Sequence, residues 1–193
     1  MPIDFKHKAV FVHIPKTGGQ AISHYLGIGR NIKKNLYADG LTHMTLPMIE
    51  ERVDITGMYI FTFVRNPYDR IASEYSWRMR NRTSAVYNEP TRDRVSFDDY
   101  MELLLYRWHQ LSKEWRERAH VVPQVEYLTD ERINIFRHEN FGAECEILAR
   151  MFGLTHKPTR VNVGKDTPKH TERTREITRQ LYADDFKRLN YEI

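Results

Sequence analysis

Lys16-Thr17-Gly18-Gly19 follows an apolar run that ends at Pro15. The run, Ala9 to Ile14 with His13 inside it, reads as a strand, and Gln20-Ala21-Ile22-Ser23-His24-Tyr25-Leu26 reads as the start of a helix. Strand, tight loop and helix is the arrangement in which main-chain N–H groups converge on a phosphate. Glycines let the backbone approach the anion, and the lysine adds a point charge. The pattern G-x-x-x-x-G-K-[ST] of nucleotide-binding loops does not apply, because here the lysine precedes the glycines. Taken alone, the stretch also reads as a strand closed by an ordinary Gly-Gly turn.

A second block carries complementary chemistry. Met58-Tyr59-Ile60-Phe61-Thr62-Phe63-Val64 has the β-branched and aromatic content of a buried strand, and it runs into Arg65-Asn66-Pro67-Tyr68-Asp69-Arg70. A helix is expected from about Tyr68 to Arg82, with Ile71, Tyr75 and Met79 on an apolar stripe. Ser73 then points away from that stripe, on the side of Arg70 and Trp77. A guanidinium fork on Arg65 and a hydroxyl on Ser73 suit a phosphate monoester. The competing reading pairs Arg65 with a nearby carboxylate such as Asp69 and leaves Ser73 solvated.

Nine histidines are present. His43, in Gly40-Leu41-Thr42-His43-Met44-Thr45-Leu46-Pro47, lies between the two blocks and just before a short helix that Thr45 can cap. An imidazole titrates at about pH 6.5 in its ordinary state, which suits a proton acceptor near neutrality. His13, at a strand end, is expected to orient the backbone and not to do chemistry. No HExxH and no paired-cysteine spacing appears, so no metal is expected.

The elements that must position these groups alternate along the chain. Ser96 can cap a helix with Phe97, Tyr100, Met101, Leu104 and Trp108 at helical spacing. A strand from Ile133 to Arg137 leads into a helix from Asn140 to Phe152, with Gly153 as its C-terminal cap. A last helix is expected from Thr171 or Glu172 to about Phe186, around Ile177 and Leu181. Strands alternating with helices imply a parallel sheet with ligands at the strands' carboxyl ends. Two polar stretches, 82–94 and 162–169, are the expected mobile loops. Lys165 is the candidate in the second for closing over a bound anion, with a plain solvated turn as the alternative.

Composition bounds the rest. At 193 residues, with 40% hydrophobic and 29% charged side chains, the chain suits a single globular domain, 1–193. No apolar run approaches the roughly 18 residues needed to span a membrane. The amino terminus has no signal-peptide architecture, and a cytoplasmic location is expected. The single cysteine, Cys145, excludes an intrachain disulfide and falls on a helical stripe with Phe141, Leu148 and Phe152 as a core residue. The net charge of +4 is modest, and no basic–aromatic repeat points to nucleic acid. Arg78, Arg80 and Arg82 read as a solvated helix end, and Arg30, Lys33 and Lys34 fall in a loop region. Steering of an anionic ligand is the functional alternative.

Together the two blocks, about 45 residues apart, resemble the sulfotransferase superfamily, which uses 3′-phosphoadenosine 5′-phosphosulfate (PAPS). His13-Ile14-Pro15-Lys16-Thr17-Gly18-Gly19 is similar to the loop that binds the 5′-phosphosulfate, and Phe63 to Tyr75 is similar to the 3′-phosphate segment. The resemblance is nearest to the heparan sulfate 2-O-sulfotransferase branch and its bacterial relatives, which modify carbohydrate hydroxyls. It extends to a weaker part, Phe136-Arg137-His138-Glu139-Asn140-Phe141. It implies a P-loop-like α/β fold with a parallel sheet flanked by helices. It also implies that Lys16, Thr17, Gly18, Gly19, Gln20 and Ala21 hold the 5′ end of PAPS and that Arg65 and Ser73 hold its 3′-phosphate; Lys165, read from its own loop, is the candidate for closing over the cofactor. His43 would be the base, and the acceptor a hydroxyl, for instance on an oligosaccharide. After the two glycines the family commonly has Thr or Ser, whereas this chain has Gln20 and Ala21. Backbone donors survive that change, while a hydroxyl contact is lost or passes to the Gln20 amide. A nucleotide- or sugar-phosphate kinase with a variant loop and a non-catalytic nucleotide-binding module are the alternatives.

Overall fold

Apolar runs become strands and amphipathic stretches become helices largely where periodicity places them. The computed structural model describes residues 3–26, 42–81, 95–111, 118–155 and 167–193. In chain order its elements are β1 (Ile3–Asp4), β2 (Ala9–Val12), α1 (Gly19–Tyr25), α2 (Leu46–Glu50), β3 (Tyr59–Val64), α3 (Pro67–Asn81) and α4 (Phe97–Arg107). They continue with β4 (Asn134–Arg137), α5 (Phe141–Phe152), α6 (Glu172–Leu181) and α7 (Ala183–Leu189). This is an α/β chain. Arg30, Lys33, Lys34, Arg82, Lys165, the stretch 82–94 and most of 162–169 lie outside the described residues.

The chain divides into two compact units, Met1–Arg65 with Glu126–Asn162, and Asn66–Val125 with Val163–Ile193. The first holds the sheet, in the order β1-β2-β3-β4. β2, β3 and β4 are parallel, with Val12 opposite Thr62 and Val64 opposite Arg137. β1 adds an antiparallel edge to this parallel sheet. It pairs antiparallel with β2, Ile3 opposite Val10, because the tight turn between them leaves no room for a crossover. Every residue of β2 is buried, as in a strand covered on both faces. Phe11 stacks on Phe61 with ring centroids 5.1 Å apart, and Phe63 stacks on Phe136 at 5.4 Å. Ile22 and Tyr25 of α1 and Cys145 and Leu148 of α5 complete this core. Burial pushes the Cys145 thiol up to about 12, with Glu144 adding to the shift, so it is a packed side chain and not a nucleophile. Gly153, with φ of 64°, caps α5 as expected.

The second unit is helical, with α3, α4, α6 and α7 around Ile71, Tyr100, Met101, Leu104, Ile177 and Phe186. Ser96 accepts the Asp99 N–H at 3.1 Å, the cap that the sequence predicts. The last helix is two helices. Tyr182 leaves helical geometry at φ −119° and donates its buried hydroxyl to the Val121 carbonyl at 2.8 Å. Asp185 beyond it accepts N–H groups of Gln124 and Val125, each at 2.9 Å. Arg78 is no solvated helix end. It is buried with its Nε 2.5 Å from Glu74, which also takes His120 Nδ1 at 2.9 Å. A stripe of charged residues, Arg70, Glu74 and Arg78, is thus buried beside the apolar one that Ile71 begins. Removing one partner of such a pair leaves a buried charge uncompensated.

His170 gives this unit an acid-sensitive element. Its Nε2 lies 2.9 Å from the Tyr68 carbonyl, which can only accept, and its Nδ1 lies 3.2 Å from Thr174 Oγ1. Burial, with Arg175 adding to it, holds its pKa below the ordinary 6.5. The unfolded chain therefore takes the proton more readily. The stabilisation is present above about pH 6.5 and is lost as pH falls through the folded value. Denaturant melts at pH 7.5 and 5.5 should show lower stability at the acid end, and His170→Gln should flatten that slope. An unchanged slope in the variant would contradict the assignment.

Candidate active site

Parallel pairing brings the carboxyl ends of β2, β3 and β4 to one edge of the sheet, the usual place for ligands in such sheets. Within the first unit, His13 to Gly19 follow β2, Arg65 follows β3 and His138 follows β4. Segments far apart in sequence meet here because their strands share a register.

The loop after β2 has a specific backbone. Lys16 has φ of 69° and Gly18 has φ of 89°. A lysine in the left-handed region is uncommon, and such strained residues gather at functional sites. The Thr17 side chain is buried and donates to the Ile14 carbonyl at 2.9 Å. The single proton of that hydroxyl closes the loop, so Thr17 offers an anion its main-chain N–H. Gly19 opens α1, and a Cβ there would lie 1.8 Å from His13 Nε2. At Gly18 a Cβ would come within 3.0 Å of Phe141 and 3.1 Å of His138. Side chains therefore wall the loop on both sides, and only glycines leave room between them. Gln20 is exposed in the first turn of α1, and Ala21 is buried.

Arg65 is half-buried, and its Nη1 donates to the Lys16 carbonyl at 3.3 Å. The guanidinium turns to the loop, while Asp69, the carboxylate considered as its partner, is exposed. His43 is half-buried just ahead of α2, with its Nδ1 3.0 Å from the His13 carbonyl oxygen. Its ring lies 4.4 Å from the His13 ring, centroid to centroid. Thr45 occupies the N-cap position of α2 in extended geometry, without a side-chain cap bond.

The first unit thus brings together Lys16, Thr17, Gly18, Gly19, Gln20, Ala21, Arg65 and His43. Ser73 is half-buried on α3 in the second unit, and Lys165 lies outside the described residues. Two further residues reach the glycine loop without a place there from the sequence. His138 and Phe141 back the glycine loop, and their only signal was the short match from Phe136 to Phe141. His13 proves to carry both the ring over Gly19 and the carbonyl that His43 meets.

Chemically, a lysine, an arginine and a glycine-lined backbone suit an anionic ester such as a phosphosulfate. Among the described residues no group of three or more His, Cys, Asp or Glu could hold a metal ion. No helix of the described residues is long and apolar enough to cross a membrane. A glycine loop after one parallel strand and an arginine after the next leave two groups suited to an anion at one edge of the sheet. The family model described as Sulfotransferase family matches residues 2–192, and the chain belongs to that family. No curated protein and no solved structure gives a match.

Proposed function

We propose that this protein transfers a sulfuryl group from PAPS to a hydroxyl on a carbohydrate acceptor. The observation that carries the reading is the meeting of the Lys16 loop, Arg65 and His43 at one edge of the sheet, in a chain of the sulfotransferase family.

When bound, PAPS supplies the sulfuryl group and departs as adenosine 3′,5′-bisphosphate. Main-chain N–H groups of Thr17 to Gly19 hold the 5′ end, and Gly18 and Gly19 let them come close. Lys16 offsets the negative charge that grows on the leaving oxygen. Arg65 binds the 3′-phosphate, with Ser73 assigned to the same phosphate by the resemblance alone. Anchoring that phosphate fixes the sulfur relative to the acceptor. His43 takes the proton of the attacking hydroxyl.

Nucleotide affinity tests the donor. Losing one charge-assisted contact costs about 1.5–3 kcal/mol, so adenosine 3′,5′-bisphosphate should bind roughly tenfold or more tighter than AMP. Equal affinities by titration calorimetry would remove the 3′-phosphate role of Arg65 and Ser73.

A further inference from the structure

A run of packed rings leads from the core of the first unit to the candidate base. Phe61 stacks on Phe11 at 5.1 Å, Phe11 on His13 at 5.3 Å, and the His13 ring meets His43 at 4.4 Å. Phe11 and His13 are two apart, so an extended chain carries both side chains on one face. Phe11 and Phe61 are fully buried, which gives His13 an immobile floor. The absence of a side chain at Gly19 makes the space the His13 ring fills, since a Cβ there would overlap it.

The contact between the two histidines also has a chemical sense. His43 Nδ1 lies 3.0 Å from the main-chain oxygen of His13. A carbonyl oxygen only accepts, so Nδ1 carries the hydrogen. In the neutral imidazole the lone pair then belongs to Nε2. A hydrogen bond at one ring nitrogen thus decides which nitrogen serves as base, as the partners of metal-bound histidines do.

We propose that His13 is the positioning residue for the base: its carbonyl takes the Nδ1 hydrogen of His43, its ring packs against the His43 ring, and the two contacts together present Nε2 of His43 as the proton acceptor. The inference rests on His43 being the base. It gives the histidine ahead of the lysine loop a part in the acceptor side of the reaction, beside its packing against Gly19. It also explains why the first residue of α1 has no side chain.

Nitrogen-15 NMR of the full-length chain with labelled histidine reads the tautomer directly. His43→Ala identifies the His43 signals by their loss. At about pH 8, where imidazoles are mostly neutral, wild-type His43 should show a protonated Nδ1 and a bare Nε2. His13→Ala removes the packing ring and lets His43 leave the carbonyl. It should shift the tautomer towards Nε2–H and lower kcat about tenfold or more. His13→Leu, which fills the core above Phe11 but loses the ring face against His43, is read in the same way should the alanine variant not fold. Wild-type His43 with its hydrogen on Nε2, or His13 variants with unchanged tautomer and kcat, would overturn the proposal while leaving the base in place. Normal turnover by His43→Ala would overturn the base and the positioning role together.

Discussion

Replacing His43 with alanine is expected to lower turnover by about 10²-fold or more while bisphosphate affinity stays within about twofold. General-base catalysis commonly contributes about 10²–10⁴-fold, and His43 is the imidazole that the fold fastens beside the lysine loop, with Nδ1 committed to the His13 carbonyl. In the wild type, kcat/KM should rise with pH through the titration of the histidine, because only the neutral ring accepts a proton. The variant should lack that rise. Near-normal activity, or an unchanged pH profile, would move the base elsewhere. The carboxylates on and beside α2 are poor substitutes, since Glu50 pairs with Arg132 at 2.7 Å and Glu51 with Arg52 at 3.3 Å.

Lys16→Ala should act on a different part of the reaction. The lysine sits in a left-handed conformation two residues ahead of the paired glycines. The negative charge it balances is largest as the leaving oxygen departs, so the effect should fall on kcat more than on product binding. Loss of one preorganised donor to developing charge typically costs about 10²–10³-fold in kcat, and a drop of that order is expected. A variant with raised KM and intact kcat would make Lys16 a binding residue only.

Much of this architecture is legible from local pattern. The apolar content of Ala9 to Val12 and Tyr59 to Val64, the Ser96 cap and the Gly153 cap each report a nearby physical constraint, and each element forms. Arg65 and Lys16 are legible as residue types, but their contact at 3.3 Å depends on the parallel pairing of β2 with β3. His138 and Phe141 were not legible as loop walls, because a residue more than a hundred positions from Gly18 meets it only through β4. Arg78 misled for a different reason. Periodicity registers charge as exposure, and only the partner Glu74 shows that the Arg78 charge is buried. The break at Tyr182 was hidden because Tyr-Ala-Asp-Asp suits a helix, while the turn answers to contacts with Val121, Gln124 and Val125.

The central claim is sulfuryl transfer from PAPS to a hydroxyl, and a donor labelled with radioactive sulfur tests it most directly. Incubated with the protein and a panel of oligosaccharide acceptors without divalent metal, the label should move to an acceptor while adenosine 3′,5′-bisphosphate accumulates in equal amount. Lys16→Ala and His43→Ala should each suppress that transfer. Label that stays in PAPS across the panel, with phosphate instead passing from ATP in a magnesium-dependent reaction, would contradict the account and make the protein a kinase.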